Sequence, residues 1–126
     1  MNYLLKKKFL LLISFSLLVC HPILAQEPKV CRGDITLSSQ GAVDAFDCEI
    51  LEGSLFIGVP FGNSANIDNL NVLESIEEIK GNLTISNADL IRNLKGLKNL
   101  KSLGGDLIIE YCDEIRNLEG LLGLET

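Results

Sequence analysis

The feature that most constrains this chain is a repeat in its second half. Residues 81–126 match themselves at an offset of 24 residues. A repeat of this length is typical of a solenoid, in which each unit forms one coil. The matching pairs of apolar residues are Leu83 and Leu107, Ile85 and Ile109, Ile91 and Ile115, Leu94 and Leu118, and Leu97 and Leu121.

An earlier unit matches the repeat with a shift. Its opening segment, residues 53–57, lies 28 residues before the equivalent residues 81–85. The rest of the unit keeps the shorter offset, since Ile67 lies 24 residues before Ile91. The four extra residues therefore fall within residues 59–66, where proline, glycine and asparagine predict a loop. Loops tolerate insertions of this kind and strands do not.

The spacing within one unit predicts its local structure. The opening Gly-x-Leu-x-Ile alternates with period two, which predicts a short strand whose Leu and Ile face inward. The following Leu-x-x-Leu-x-x-Leu places an apolar residue at every third position, which favours a 3₁₀-like arc. One coil cannot bury its own apolar side chains, so neighbouring coils must stack and their strands form a parallel sheet. Each buried Leu or Ile then contributes roughly 1.5–3 kcal/mol.

The predicted fold class is therefore mainly β, a right-handed parallel β-solenoid of leucine-rich-repeat type. It has about three coils, residues 53–80, 81–104 and an incomplete 105–126. The next opening glycine is due beyond Thr126, so we expect the sequence to be a fragment of a longer protein.

Three asparagines and two glycines recur at fixed positions in the units. Asn69, Asn93 and Asn117 could form a stacked ligand site, but we interpret them as side chains that satisfy backbone groups where the coil turns. Gly81 and Gly105 open consecutive strands, where backbone freedom or a close approach is needed.

The N-terminal residues 1–25 are predicted to be a signal peptide. Lysines at 6–8 form a basic segment, an apolar run follows at 9–20, and Ala25 is a plausible cleavage point. The apolar run is too short to span a bilayer, and no second one follows. The protein is therefore expected to be secreted or displayed at the cell surface, with no integral membrane segment after cleavage. Lipidation of Cys20 is a weaker alternative.

The charge and composition of the remaining chain exclude several functions. Removing residues 1–25 takes three of 11 basic side chains and none of the 17 acidic ones, which leaves a formal charge of 8 − 17 = −9. Nucleic acids and anionic membranes require clustered Lys and Arg, so neither is an expected partner. The only histidine, His21, is lost with the signal peptide, and a serine or cysteine nucleophile would lack a base. We predict no enzymatic activity, no cofactor and no metal.

Residues 26–52 are predicted to form an N-terminal cap on the first coil. They contain a short strand at 35–37 and a short helix, capped by Ser38 or Ser39, that runs through Val43 and Phe46. These residues cover the apolar end that the first coil would otherwise expose.

Three cysteines remain after export into an oxidising compartment, where a disulfide is expected. Cys31 and Cys48 bracket the short strand and helix of the cap and are predicted to form the disulfide, which would stabilise the fold by about 3 kcal/mol. Cys112 is left free. It occupies the position of Ala88 in the preceding unit and is interpreted as a packing residue.

The segment Cys48-Glu49-Ile50-Leu51-Glu52-Gly53-Ser54-Leu55-Phe56-Ile57 resembles the Cys-x-x-Ile-x-Gly-x-Leu-x-Ile opening of receptor L domains, with Leu where the family favours Ile. A second copy of the signature follows at residues 76–85. Receptor L domains are the ligand-binding solenoids of the insulin and epidermal growth factor receptors. The resemblance covers residues 31–126 and implies the same fold. The asparagine-rich repeats are also similar to secreted bacterial proteins of the Bacteroidetes.

Binding is the expected role, carried by strand residues that point away from the core. We predict a secreted or cell-surface, non-catalytic interaction module for an unknown protein or glycan ligand. The alternative is an accessory domain at the N-terminus of a larger exported enzyme. Phe56, Thr84 and Ile108 should align as one exposed column. The full candidate binding face consists of Ser54, Phe56, Asn82, Thr84, Ser86, Asp106, Ile108 and Glu110.

Overall fold

A computed structural model describes residues 26–125 of the chain. The predicted signal peptide at 1–25 and the terminal Thr126 lie outside the described residues. Within residues 26–125, no helix is long and apolar enough to cross a membrane.

The described chain coils around two four-stranded parallel sheets. The strands of the first sheet are β1 (Val30–Arg32), β3 (Ile50–Glu52), β5 (Glu78–Ile79) and β7 (Ser102–Leu103). The strands of the second sheet are β2 (Ile35–Leu37), β4 (Leu55–Gly58), β6 (Leu83–Ser86) and β8 (Leu107–Glu110). The structure confirms the parallel β-solenoid.

The second sheet is the one that the repeat predicts, and its register follows the repeat. Leu83 pairs with Leu107, which confirms the 24-residue offset. Leu83 also pairs with Leu55, so the longer first unit keeps the same register. The first sheet was not predicted, because its strands contain only two or three residues and show too little alternation to be recognised.

The third side of the solenoid is formed by helical segments. The chain turns through helix α1 (Gln40–Asp44) and then through three 3₁₀ helices, called arcs here. In order, the arcs are arc 1 (Asn71–Ser75), arc 2 (Lys95–Leu97) and arc 3 (Glu119–Leu121). Contacts join α1 to arc 1, arc 1 to arc 2, and arc 2 to arc 3. The predicted 3₁₀ arcs are therefore confirmed, and α1 takes the place of an arc in the first coil.

The N-terminal cap is itself a coil of the solenoid. Its strands β1 and β2 are the first strands of the two sheets. The side chain of Ser39, one of the two predicted caps, accepts a hydrogen bond from the Ala42 backbone amide at 3.2 Å and so caps α1, which ends at Asp44 and is therefore shorter than predicted. Val43 on α1 is fully buried, and the disulfide joins Cys31 to Cys48 with 5.8 Å between their Cα atoms. The cap thus adds a fourth coil to the three predicted from the repeat.

The apolar core is continuous from one coil to the next. Leu83 and Ile85 are fully buried between neighbouring coils. Their equivalents in the last described coil, Leu107 and Ile109, are only partly buried, because β8 has a neighbouring strand on one side only within the described residues. Burial in this fold is therefore set by stacking rather than by residue type alone.

Two glycines allow the arcs to stack closely. A Cβ atom added to Gly96 would lie 1.7 Å from the carbonyl oxygen of Leu70 in the preceding coil. A Cβ on Gly120 would lie 1.8 Å from the carbonyl oxygen of Leu94. Backbone thus packs directly on backbone at this corner, which fixes the distance between coils.

We expect Gly96→Ala to lower the free energy of unfolding by about 1–3 kcal/mol, because two coils must move apart to accept the methyl group. Gly41→Ala is the matched control. Its added Cβ would lie 3.9 Å from the nearest atom, the Ser39 hydroxyl oxygen, and alanine favours the helix by up to about 1 kcal/mol. Urea unfolding measures both variants. Equal stability of the two would contradict close packing at the arcs.

Reduction of the disulfide should lower the free energy of unfolding by about 3 kcal/mol, because it frees the loop between Cys31 and Cys48 in the unfolded chain. Urea unfolding with and without dithiothreitol measures the difference. The double variant Cys31→Ala and Cys48→Ala should not respond to the reductant.

Non-reducing digestion and mass spectrometry should recover one cross-linked pair of peptides, which contain Cys31 and Cys48. A link from Cys31 to Cys112 would refute the pairing.

Candidate ligand-binding face

The predicted binding residues lie together on the outward side of the second sheet, called the outer face here. Strand register arranges the outer face in three rows that run across β2, β4, β6 and β8. The first row, just before the strands, consists of Asp34, Ser54, Asn82 and Asp106. The second row consists of Thr36, Phe56, Thr84 and Ile108. The third row includes Ser86 and Glu110.

The first row is a ladder of hydrogen bonds between coils. The Asp34 Oδ1 atom accepts from the Ser54 amide at 2.8 Å. The Ser54 hydroxyl oxygen accepts from the Asn82 amide at 3.0 Å, and the Asn82 Oδ1 atom accepts from the Asp106 amide at 2.8 Å. Each side chain therefore satisfies a backbone donor at the start of the next strand. Ser54 and Asn82 are placed on the outer face as predicted, but they also hold the coils together.

The second row is the predicted column. Phe56 pairs in register with Thr84, and Thr84 with Ile108, so the expected alignment is confirmed, although Phe56 and Thr84 are half-buried and only Ile108 is exposed. Ile108 is 39% exposed, which is high for a large apolar side chain on a strand. Thr36 extends the column by one strand and was missed, since it lies in the segment interpreted as a cap. The alternation in Ile35-Thr36-Leu37 is the signal that could have placed it there.

A shallow depression of about 350 Å³ lies on the outer face. It combines one aromatic side chain with hydroxyl, amide and carboxylate groups, which is the mixture typical of a binding site. The residues that line it are Asp34, Ile35, Thr36, Ser54, Leu55, Phe56, Pro60, Asn82 and Thr84.

Ser86 does not belong to the accessible surface, which corrects the prediction for that residue. Only 2% of Ser86 is exposed. Its hydroxyl donates to the Glu110 Oε1 atom at 3.2 Å and accepts from the Asn87 side-chain amide at 3.3 Å. The chain turns at Asn87 directly after the strand, and these two neighbours cover the serine. The alternation along the strand predicted correctly that the Ser86 side chain points outward, but it could not show that Glu110 and Asn87 cover this side chain. Glu110 remains exposed.

Two exposed aromatic residues lie at the ends of second-sheet strands. Tyr111 follows β8 with a φ of 53°, equivalent to Asn87 after β6, and is 68% exposed. Phe61 lies in the loop at 59–66 after β4, which contains the insertion, and is 88% exposed. Such a left-handed tyrosine is uncommon, and neither residue was singled out from the sequence.

The insertion is anchored to the next coil. The Ser64 hydroxyl oxygen accepts from the Asp89 amide at 2.8 Å, and the Ala65 amide donates to the Asn87 carbonyl at 2.7 Å. These bonds fix the far end of the loop, while Pro60 at its near end lines the depression. The extra residues thus enlarge the border of the outer face without disturbing the strands.

The three recurring asparagines make local turns, which confirms the structural interpretation. Asn93 Oδ1 accepts from the Lys95 amide at 3.0 Å, at the start of arc 2. Asn117 Oδ1 accepts from the Glu119 amide at 3.1 Å at the start of arc 3. Asn69 makes the equivalent bond to the amide two residues later at 3.3 Å. These amides therefore stabilise the beginning of each arc.

Cys112 has the properties of a packing residue. The side chain is buried, and this burial is the main reason that the pKa of its thiol lies above the ordinary value of 9.0. A raised pKa disfavours the thiolate, which is the nucleophilic form. Within the described part of the chain, no group of His, Cys, Asp and Glu residues could hold a metal ion.

The fold and the outer face define a class of protein: a disulfide-capped parallel solenoid that exposes one sheet with a column of Phe, Ile and Thr side chains. The sequence pattern of the receptor L domain family matches residues 47–122, which is more than half of the chain. The chain therefore belongs to the receptor L domain family. A comparison with curated proteins found no match.

Asn82→Ala should lower the free energy of unfolding by about 0.5–1.5 kcal/mol, because the Asp106 amide loses its acceptor. Asn82→Ser is the matched control, since Ser54 already performs this function one coil earlier. Urea unfolding should place the serine variant between the alanine variant and the unmodified protein. An alanine variant of full stability would show that the ladder contributes nothing.

Proposed function

We propose that this protein is a secreted or cell-surface binding module that contacts a protein or glycan ligand with its outer face. Membership of the receptor L domain family supports a non-catalytic, ligand-binding role. The observation that carries the proposal is the column of Phe56, Thr84 and Ile108, which aligns across three strands of an exposed sheet. Extended sheet faces of this kind are the surfaces on which solenoids bind partners.

The neighbouring features support the same face. The depression beside Phe56 presents hydroxyl, amide and carboxylate groups. Phe61 and Tyr111 add exposed aromatic area at the strand ends. Aromatic residues are enriched at binding interfaces because they bury a large area and lose little side-chain entropy. The first sheet carries a different surface, where charged residues such as Arg32 and Glu52 pair with each other.

Export is supported by the chemistry of the cap. The Cys31–Cys48 disulfide is of the kind that persists in oxidising compartments. The predicted signal peptide at 1–25 agrees with that location. The bacterial source suggested by the asparagine-rich repeats stays a prediction.

The proposal is tested by screening the labelled protein against arrays of glycans and of extracellular proteins. Any ligand of the outer face should lose at least about tenfold in affinity with Ile108→Arg, because the charged side chain disrupts the apolar column. Leu90→Arg is the matched control, since Leu90 is 49% exposed and lies outside the outer face. Surface plasmon resonance gives the affinities. Ligands that bind Ile108→Arg normally would place the site elsewhere.

A further inference from the structure

We infer that the ligand of the outer face is a basic polypeptide, with Lys or Arg side chains on either side of an apolar residue. The inference rests on the proposed function and names the partner class of the same site. Three observations carry it: the sign of the charges on the outer face, their lack of cationic partners, and their spacing around Ile108.

The charged side chains of the outer face all have the same sign. Asp34, Asp106 and Glu110 are the charged residues of its three rows. The strands β2, β4, β6 and β8 contain no Lys or Arg, and the inserted loop at 59–66 contains no charged residue. An anionic ligand would be repelled by this surface, and a cationic one attracted.

Some acids on the other sides of the solenoid form ion pairs, whereas the acids of the outer face form none within the described residues. On the first sheet, Glu52 contacts Arg32 at 3.2 Å and Lys80 at 3.5 Å. On the arcs, Glu74 contacts Lys98 at 3.3 Å. No Lys or Arg among residues 26–125 forms an ion pair with any acid of the outer face. The negative charge on the outer face is therefore not neutralised from within the described chain.

The charges are arranged around the apolar column. Asp106, just before β8, and Glu110, at the end of β8, are both exposed and lie on either side of Ile108. Four residues of strand span about 13 Å. An extended peptide with Lys or Arg at two positions four residues apart, and an apolar residue midway, matches this spacing. In the first row, Asp106 donates a hydrogen bond from its backbone amide to Asn82. Its carboxylate is therefore free to receive a cation.

A neutral glycan would use the depression and the aromatic groups but would leave these exposed acids hydrated, without a charged partner. A polypeptide with the pattern Lys-x-apolar-x-Lys satisfies the acids and the apolar column together. Charge complementarity of this kind raises association rates and selects among partners. It therefore favours the basic polypeptide over the glycan.

The probe is the peptide acetyl-Ser-Lys-Thr-Ile-Thr-Lys-Ser-amide, titrated into isotope-labelled protein and followed by nuclear magnetic resonance. The peptide should shift the amide signals of residues 106–110 and of Phe56 and Thr84, and its affinity should fall when the salt is raised from about 50 to about 500 mM. The matched peptide with Glu in place of both Lys should not bind. Shifts confined to other surfaces would overturn the inference.

Variants that remove two negative charges distinguish binding at the outer face from general attraction to an acidic protein. Asp106→Asn with Glu110→Gln should weaken the lysine peptide about two- to fivefold per charge. Glu77→Gln with Glu78→Gln removes the same charge away from the outer face and should have little effect. Equal losses in the two double variants would overturn the inference, because the attraction would then depend on net charge alone.

The array ligands distinguish this inference from the proposed function. A neutral glycan that is lost with Ile108→Arg, yet binds Asp106→Asn with Glu110→Gln normally, would refute the basic polypeptide and leave the binding face in place. If both the lysine peptide and every array ligand bind Ile108→Arg normally, the outer face itself is refuted and the inference fails with it. A ligand that loses affinity both for Ile108→Arg and for Asp106→Asn with Glu110→Gln supports the proposed function and the inference together.

Discussion

The whole structure depends on coils that bury one another. A single coil has two short strands and one helical segment, too little to enclose an apolar core, so each leucine or isoleucine is sheltered by the coil above or below. Leu83 shows the effect directly: it is fully buried between two coils, whereas its equivalent Leu107 is only partly buried. The disulfide-closed cap serves the same need at the beginning: it is the first coil, and its helix α1 packs against arc 1 with Val43 fully buried.

The sequence predicted the second sheet well because its strands carry a strong alternating pattern and repeat at a fixed offset. It also predicted a short helix capped by Ser38 or Ser39, of which the structure uses Ser39, and the Cys31–Cys48 disulfide. The first sheet was missed because a strand such as β7 has two residues, and what makes it a strand is hydrogen bonding to the coils beside it. Such non-local pairing leaves little trace in a short sequence window.

The outer face was only partly predictable for a related reason. Alternation along a strand gives the direction of a side chain, and this placed Phe56, Thr84 and Ile108 correctly in one column. It does not show what covers that side chain, which is why Ser86 is buried by Glu110 and by the turn after β6. The loop at 59–66 was predicted, but its Phe61 and Tyr111 were not singled out because they belong to irregular segments, where the position of a side chain depends on the neighbouring coil.

The hydrogen-bonded first row has a consequence for how such a protein can diversify. A residue there must be short and must carry an oxygen that reaches the following strand, as Asp34, Ser54 and Asn82 do. Side chains in the second row and at the tip of the loop around Phe61 do not have to make such a hydrogen bond. Substitutions that adapt the surface to a new ligand therefore cost little stability in the second row, whereas those in the first row are restricted by the hydrogen bonds between coils. Changes in specificity should accumulate in the unrestricted positions, while the scaffold is inherited almost unaltered.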